Sequence, residues 1–208
     1  MTKFNVRFNV ADMDGMAVLV FIRPESPQRN SRIHAWRVLT GAEGSADAFL
    51  YENDIQVNVT PTDSEPSTPR IPNTVAIAPG QLYRTALIDG RRLVLHLSSP
   101  AEAQERLSPK QCGVINTVTP FMEFDCHWLV AGRPVVTMPR VDTNMAVSFE
   151  HLNHLYFTMA KPPTAGQTYS IRDFSDMTRY TVPVGAQTID IDLTRENGLW
   201  AFDFSSNR

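Results

Sequence analysis

The 208-residue chain is predicted to be all-β, with two tandem antiparallel β-sandwich domains joined by a short connector helix. Three observations predict this. Apolar side chains recur with period two, turn dipeptides punctuate the chain between those stretches, and the first half resembles the second at several positions in the same order.

The alternation is plain at Phe4, Val6 and Phe8, at Ile55, Val57 and Val59, and at Ile189, Ile191 and Leu193. Successive side chains of an extended strand point to opposite faces, so each such run buries one face and wets the other. Between the runs fall Asp14-Gly15, Thr40-Gly41, Pro79-Gly80, Asp89-Gly90, Ala131-Gly132 and Asn197-Gly198. Short alternating strands with frequent turn signals favour a sandwich or barrel over a βαβ fold.

One segment reads as helix. Ser99, Pro100 and Glu102 stand where an N-cap, a first helical residue and the third residue of a capping box belong. The spacing predicts about two turns over residues 100 to 107, stopped by Ser108-Pro109 because proline disfavours helix at the residue before it. A second irregular stretch holds Pro61, Pro66, Pro69, Pro72 and Pro79 among Ser, Thr, Asp and Glu. Proline removes ladder donors and the polar residues supply no core, so residues 61–73 are expected to form a long surface loop.

The internal resemblance rests on ordered matches. Phe8-Asn9 precedes Ile115-Asn116 by 107 residues, and Phe21 precedes Trp128 by the same interval. Phe49, Asn53, Ile55 and Val57 precede Phe149, Asn153, Leu155 and Phe157 by 100 residues. Gly80-Gln81-Leu82-Tyr83 precedes Gly166-Gln167-Thr168-Tyr169 by 86. The falling interval predicts an insertion of about the length of the proline-rich loop in the first copy. The expected domains are residues 1–98, which carry that loop, and 111–208, with the connector at 99–110.

Composition narrows the function classes. A net charge of −3 without a Lys and Arg cluster argues against nucleic acid as a partner. Two cysteines, Cys112 and Cys126, have neither metal-ligand spacing nor the density of a disulfide framework, and both are expected to be buried thiols. The start of the chain carries no charged leader before an apolar core, and the longest apolar run, Met16 to Ile22, is far below the roughly 20 residues of a membrane-spanning helix. A cytoplasmic protein without a transmembrane segment is the expectation. No GxGxxG, Walker or GxSxG pattern occurs, so no cofactor is predicted.

Two groups of side chains invite a functional reading. His34 and Trp36 in one strand, with Trp128 in the other half, offer aromatic planes beside polar neighbours, as sugar-binding sites do. A Trp packed between sheets satisfies the same alternation. His151 and His154, with His127 nearby in the second half, are the candidate metal ligands. Neighbouring side chains in a strand point apart, so Cys126 and His127 are not expected to act on each other. Asp190, Asp192 and Asp203 read as the wet faces of antiparallel strands. Without a catalytic constellation, the chain reads as a non-enzymatic binding or self-assembly protein, its partner a second copy or another protein. A lectin-like carbohydrate-binding module and a histidine-based metal enzyme are the alternatives.

Overall fold

The computed structural model describes all residues except 26–27, 29, 63–72, 91, 120–121, 151, 163–168, 171–176 and 208. The fold is all-β, with several sheets and one helix among the described residues. Its strands group into two compact units, and neither is a linear half of the chain.

The first unit comprises residues 1–23, 34–53 and 153–208. One of its sheets is built from β1 (Thr2–Phe8), β5 (Ala46–Tyr51), β17 (Thr188–Glu196) and β18 (Leu199–Asn207), in the order β18-β17-β1-β5. Its other sheet runs β16-β14-β2-β4, from β2 (Ala17–Phe21), β4 (Ala35–Leu39), β14 (His154–Ala160) and β16 (Thr178–Thr181). The predicted alternation appears as burial: Phe4, Val6 and Phe8 of β1, and Ile189, Ile191 and Leu193 of β17, are sealed from solvent while their neighbours are not. The core between the sheets is aromatic. Phe4 stacks on Phe49 at 4.9 Å across the β1–β5 ladder, Trp36 meets Phe49 edge-on at 5.6 Å, and Phe4 lies 6.4 Å from Phe157. Each such pair adds about 0.5–1.5 kcal/mol beyond the area it buries.

The second unit comprises residues 24–33 and 54–152. One sheet has the order β13-β10-β8-β9, from β8 (Leu82–Ile88), β9 (Arg92–Leu97), β10 (Gln111–Ile115) and β13 (Ala146–Glu150). The other runs β3-β12-β11-β6-β7 within this unit, from β3 (Arg32–Ile33), β6 (Ile55–Pro61), β7 (Val75–Ala76), β11 (Phe124–Val130) and β12 (Arg133–Val141). A two-residue strand, β15 (Tyr169–Ser170), completes the strands.

The helix α1 (Pro100–Arg106) forms where the capping signals place it. The Ser99 hydroxyl accepts from the Glu102 amide at 3.3 Å, with Pro100 in the first turn. The Glu102 carboxylate is held by Arg84 at 2.5 and 2.7 Å and by the Ser98 hydroxyl. Rather than tethering two domains, the helix lies inside the second unit, where Ala103 packs on Leu82, Ile115 and Leu107. Its place has a topological cause. β8 and β10 pair in parallel, and a parallel pair needs a crossover of a dozen or more residues between its strands.

A second parallel ladder sets Lys3 to Phe8 beside Thr188 to Leu193. This pairing brings the start and end of the chain into one sheet, and it is why the units cut across residues 1–98 and 111–208. The predicted 61–73 loop lies outside the described residues for 63–72.

Candidate interaction site

β17 and β18 form the last hairpin of the chain, closed by Asn197 and Gly198 at φ 52° and 82°. Two successive left-handed residues are what a two-residue type I′ turn requires, and Asn-Gly meets that need with little strain. The register then runs unbroken from Glu196 opposite Leu199 to Thr188 opposite Asn207. Among the described residues β18 stands last in its sheet's order, so one of its sides pairs with β17 and the other is the sheet's edge. It holds no proline and no lysine, two of the devices that blunt exposed edges.

Hydrogen bonding fixes which groups the edge presents. The carbonyls of Gln187 and Leu193 accept from the amides of Lys3 and Asn9 at 2.9 and 3.0 Å, so the odd-numbered residues of β17 turn their backbone polar groups toward β1. The even-numbered ones turn toward β18, where they face Leu199, Ala201, Asp203, Ser205 and Asn207. Trp200, Phe202, Phe204 and Ser206 therefore direct their N–H and C=O groups away from β17.

The side chains alternate as well. Phe204 stacks on Tyr180 at 4.2 Å, and Phe202 and Phe204 lie 5.8 and 5.2 Å from Phe157, so this face belongs to the core. Trp200 shares it by parity. Yet Trp200, Phe202 and Phe204 are all only half-buried, because β18 is the last strand of its sheet. The Arg195 guanidinium sits 4.8 Å from the Trp200 ring centroid and pairs with Asp14 at 2.5 Å. Beside it Leu199 is 74% exposed. Trp and Arg are the residue types that most often dominate protein interfaces.

The residues singled out from the sequence lie elsewhere. Trp36 and Trp128 are 1% and 0% exposed, which leaves neither indole a plane for a sugar. Trp36 is wedged against Phe49 and Tyr51; Trp128 stacks on Phe149 at 5.2 Å, its indole N–H buried without a hydrogen-bond partner among the described residues. His34 is half-buried between β3 and β4. Of the candidate metal ligands, His127 belongs to the second unit and His154 to the first, while His151 lies outside the described residues. Both ring nitrogens of His127 are engaged, Nε2 with the Thr60 hydroxyl and Nδ1 with that of Thr137, each at 2.9 Å. His154 meets Thr181 through Nδ1 at 2.9 Å and Arg179 through Nε2. Among the described residues no group of three or more His, Cys, Asp or Glu is placed to hold a metal ion.

A charged cluster marks an irregularity between β11 and β12. The ladder shifts register between Phe124 and Cys126, and Arg140 takes φ 55° there, an uncommon conformation for a residue with a side chain. The Arg140 amide donates to Asp125 at 3.0 Å and its guanidinium to Glu123 at 2.9 Å. That guanidinium holds the Glu123 carboxyl below the usual carboxylate range, whereas burial, with Glu123 alongside, pushes Asp142 up. The adjoining cavity, lined by Met138, Pro139, Arg140 and Met145 among others, measures about 120 Å³. That is well under the roughly 300 Å³ at which small-molecule sites begin.

The chain matches no protein-family model, and neither a curated protein nor a solved structure is significantly similar to it.

Proposed function

We propose that the chain is a non-enzymatic self-assembly protein of the cytoplasm, built on an internally duplicated β-sandwich plan and acting through its open sheet edge. The observation that carries this reading is β18: nine residues, regular in register, with outward backbone groups and three half-buried aromatic rings at the edge of its sheet.

The duplication is supported by the shared plan of two sheets. In β18-β17-β1-β5 and in β9-β8-β10-β13, a two-stranded hairpin joins in parallel a strand that then pairs antiparallel with an edge strand. Asp89-Gly90 and Asn197-Gly198, both at positive φ, turn the corresponding hairpins. Each set draws strands from early and late in its plan across the two halves, as though two copies had exchanged them. A reducing compartment is supported by Cys112 and Cys126, both buried and unbridged.

Multi-angle light scattering after size exclusion, over a concentration series, tests the assembly. A mass at an integer multiple of the 23.3 kDa chain is expected. A strict monomer at every concentration overturns the reading.

A further inference from the structure

We infer that a second copy of this chain docks on β18 as an antiparallel strand, about a two-fold axis centred on Phe202, to make one sheet continuous across a dimer. The inference rests on the self-assembly reading and specifies its surface, geometry and register.

The backbone allows only certain registers. Pairing must bring outward-facing residues together, and those are Trp200, Phe202, Phe204 and Ser206. Three antiparallel two-fold registers, centred on Phe202, Asp203 and Phe204, would engage most of the strand. One, centred on Asp203, sets that carboxylate directly against its own copy, and like charges directly opposite one another destabilise a sheet. That centred on Phe204 leaves Trp200 with no strand residue opposite and sets Phe202 against Ser206, whereas that centred on Phe202 sets Phe202 against Phe202 and Trp200 against Phe204 on the core side. On the outer side it sets Ala201 against Asp203 and Leu199 against Ser205. No charge then meets its like.

The same register explains why the edge carries aromatics at all. Trp200, Phe202 and Phe204 line the core side of β18 but remain half-buried in a single copy. The partner strand would cover them with the same three rings, extending the cluster that already joins Phe157, Tyr180, Phe202 and Phe204. An isologous contact of this kind closes at two copies, as two-fold interfaces do. The edge strand β9 of the other hairpin differs in kind, being six residues long with Arg92 and His96 exposed. A charge such as that of Arg92 discourages edge pairing.

The test combines mass with register. Wild-type protein is expected at twice the chain mass, and Phe202→Pro, which removes one outward N–H, at the chain mass. Under mild oxidation, an equimolar mixture of the Ala201→Cys and Asp203→Cys proteins is expected to cross-link into dimers, and either protein alone is not. The two positions oppose each other in a non-hydrogen-bonded pair, within disulfide reach, and both native cysteines are buried. A dimer that persists in Phe202→Pro and yields no mixed cross-link overturns the inference and leaves self-assembly through another surface. A monomeric wild type overturns both. Should Phe202→Pro fail to fold, the cross-link alone decides.

Discussion

The Asn53 side-chain amide donates to the Asn153 carbonyl oxygen at 3.0 Å, joining residues that lie one hundred positions apart in the chain. Each asparagine sits just before a strand, Asn53 ahead of β6 and Asn153 ahead of β14, and each stands at a boundary where the chain passes between units. The bond is solvent-exposed, so its net worth is about 0.5–1 kcal/mol. Chemical denaturation of Asn53→Ala, Asn153→Ala and the double variant should show a coupling energy of that size. Additive single effects would mean that the contact contributes nothing.

Gly41 is hemmed in by its neighbours. A methyl group there would lie 2.3 Å from Cδ2 of Phe8, a fully buried ring, and 2.6 Å from Oγ of Ser45. The Phe8 ring is sealed in the core, so Gly41→Ala should destabilise the first unit by about 1–3 kcal/mol, as overpacked cores do. Denaturant midpoints measure it.

Trp128 carries a buried indole N–H with no acceptor among the described residues. Phenylalanine in its place gives up ring volume but also removes that donor, and the two effects oppose each other. Trp128→Phe is expected to change stability by no more than about 1 kcal/mol, whereas Trp128→Ala should cost about 3–5 kcal/mol. A Phe variant as unstable as the Ala variant would show that the N–H has a partner.

Arg84 and Ser98 hydrogen-bond the Glu102 carboxylate and hold its pKa below the ordinary value of 4.5, with Arg84 the larger influence. The folded value is depressed, so the stabilisation is present above pH 4.5 and is lost as the pH falls toward the lower folded value. Thermal melts of wild type should therefore lose stability on acidification below about pH 4.5, and Arg84→Met should lose less over that window. The Arg84 guanidinium is half-exposed to solvent, so the difference is expected to be small.

Cys112 lies in the second unit with its pKa pushed up to about 12 by burial, and burial also holds the Cys126 thiol well above its usual range. Thiolates are the reactive form, so a thiol reagent at neutral pH should label neither residue in the native protein and both in denaturant. Fast native labelling would place one of them at the surface.

Local structure was legible in the sequence and partner choice was not. The alternation at Phe4, Val6 and Phe8 names the buried face of β1, the Ser99 cap starts α1 on the right residue, and Asn197-Gly198 turns a hairpin where the dipeptide stands. Nothing in β1 says that its neighbour is β17, because the same apolar face fits any strand that buries a complementary one. The candidate edge was readable in part: Trp200, Phe202 and Phe204 alternate directly after a hairpin dipeptide, which marks a strand with an aromatic face. That this strand ends its sheet, and so leaves the rings half-covered, depends on the whole strand order. Trp36 and Trp128 drew attention as large aromatics, but burial decides what an aromatic does, and both are in the core.

β1 and β17 share one sheet, and each unit takes strands from both halves of the chain. The register places Arg7 opposite Asp192 on the solvated side of that sheet. The most direct measurement introduces Arg7→Cys and Asp192→Cys together with a protease site between Arg106 and Lys110, cuts the folded protein, oxidises it and resolves the products on a non-reducing denaturing gel. A single disulfide-joined species that separates into two fragments on reduction is the predicted result. Two free fragments before reduction, from protein that is still folded after cleavage, would mean that β1 and β17 are not neighbours.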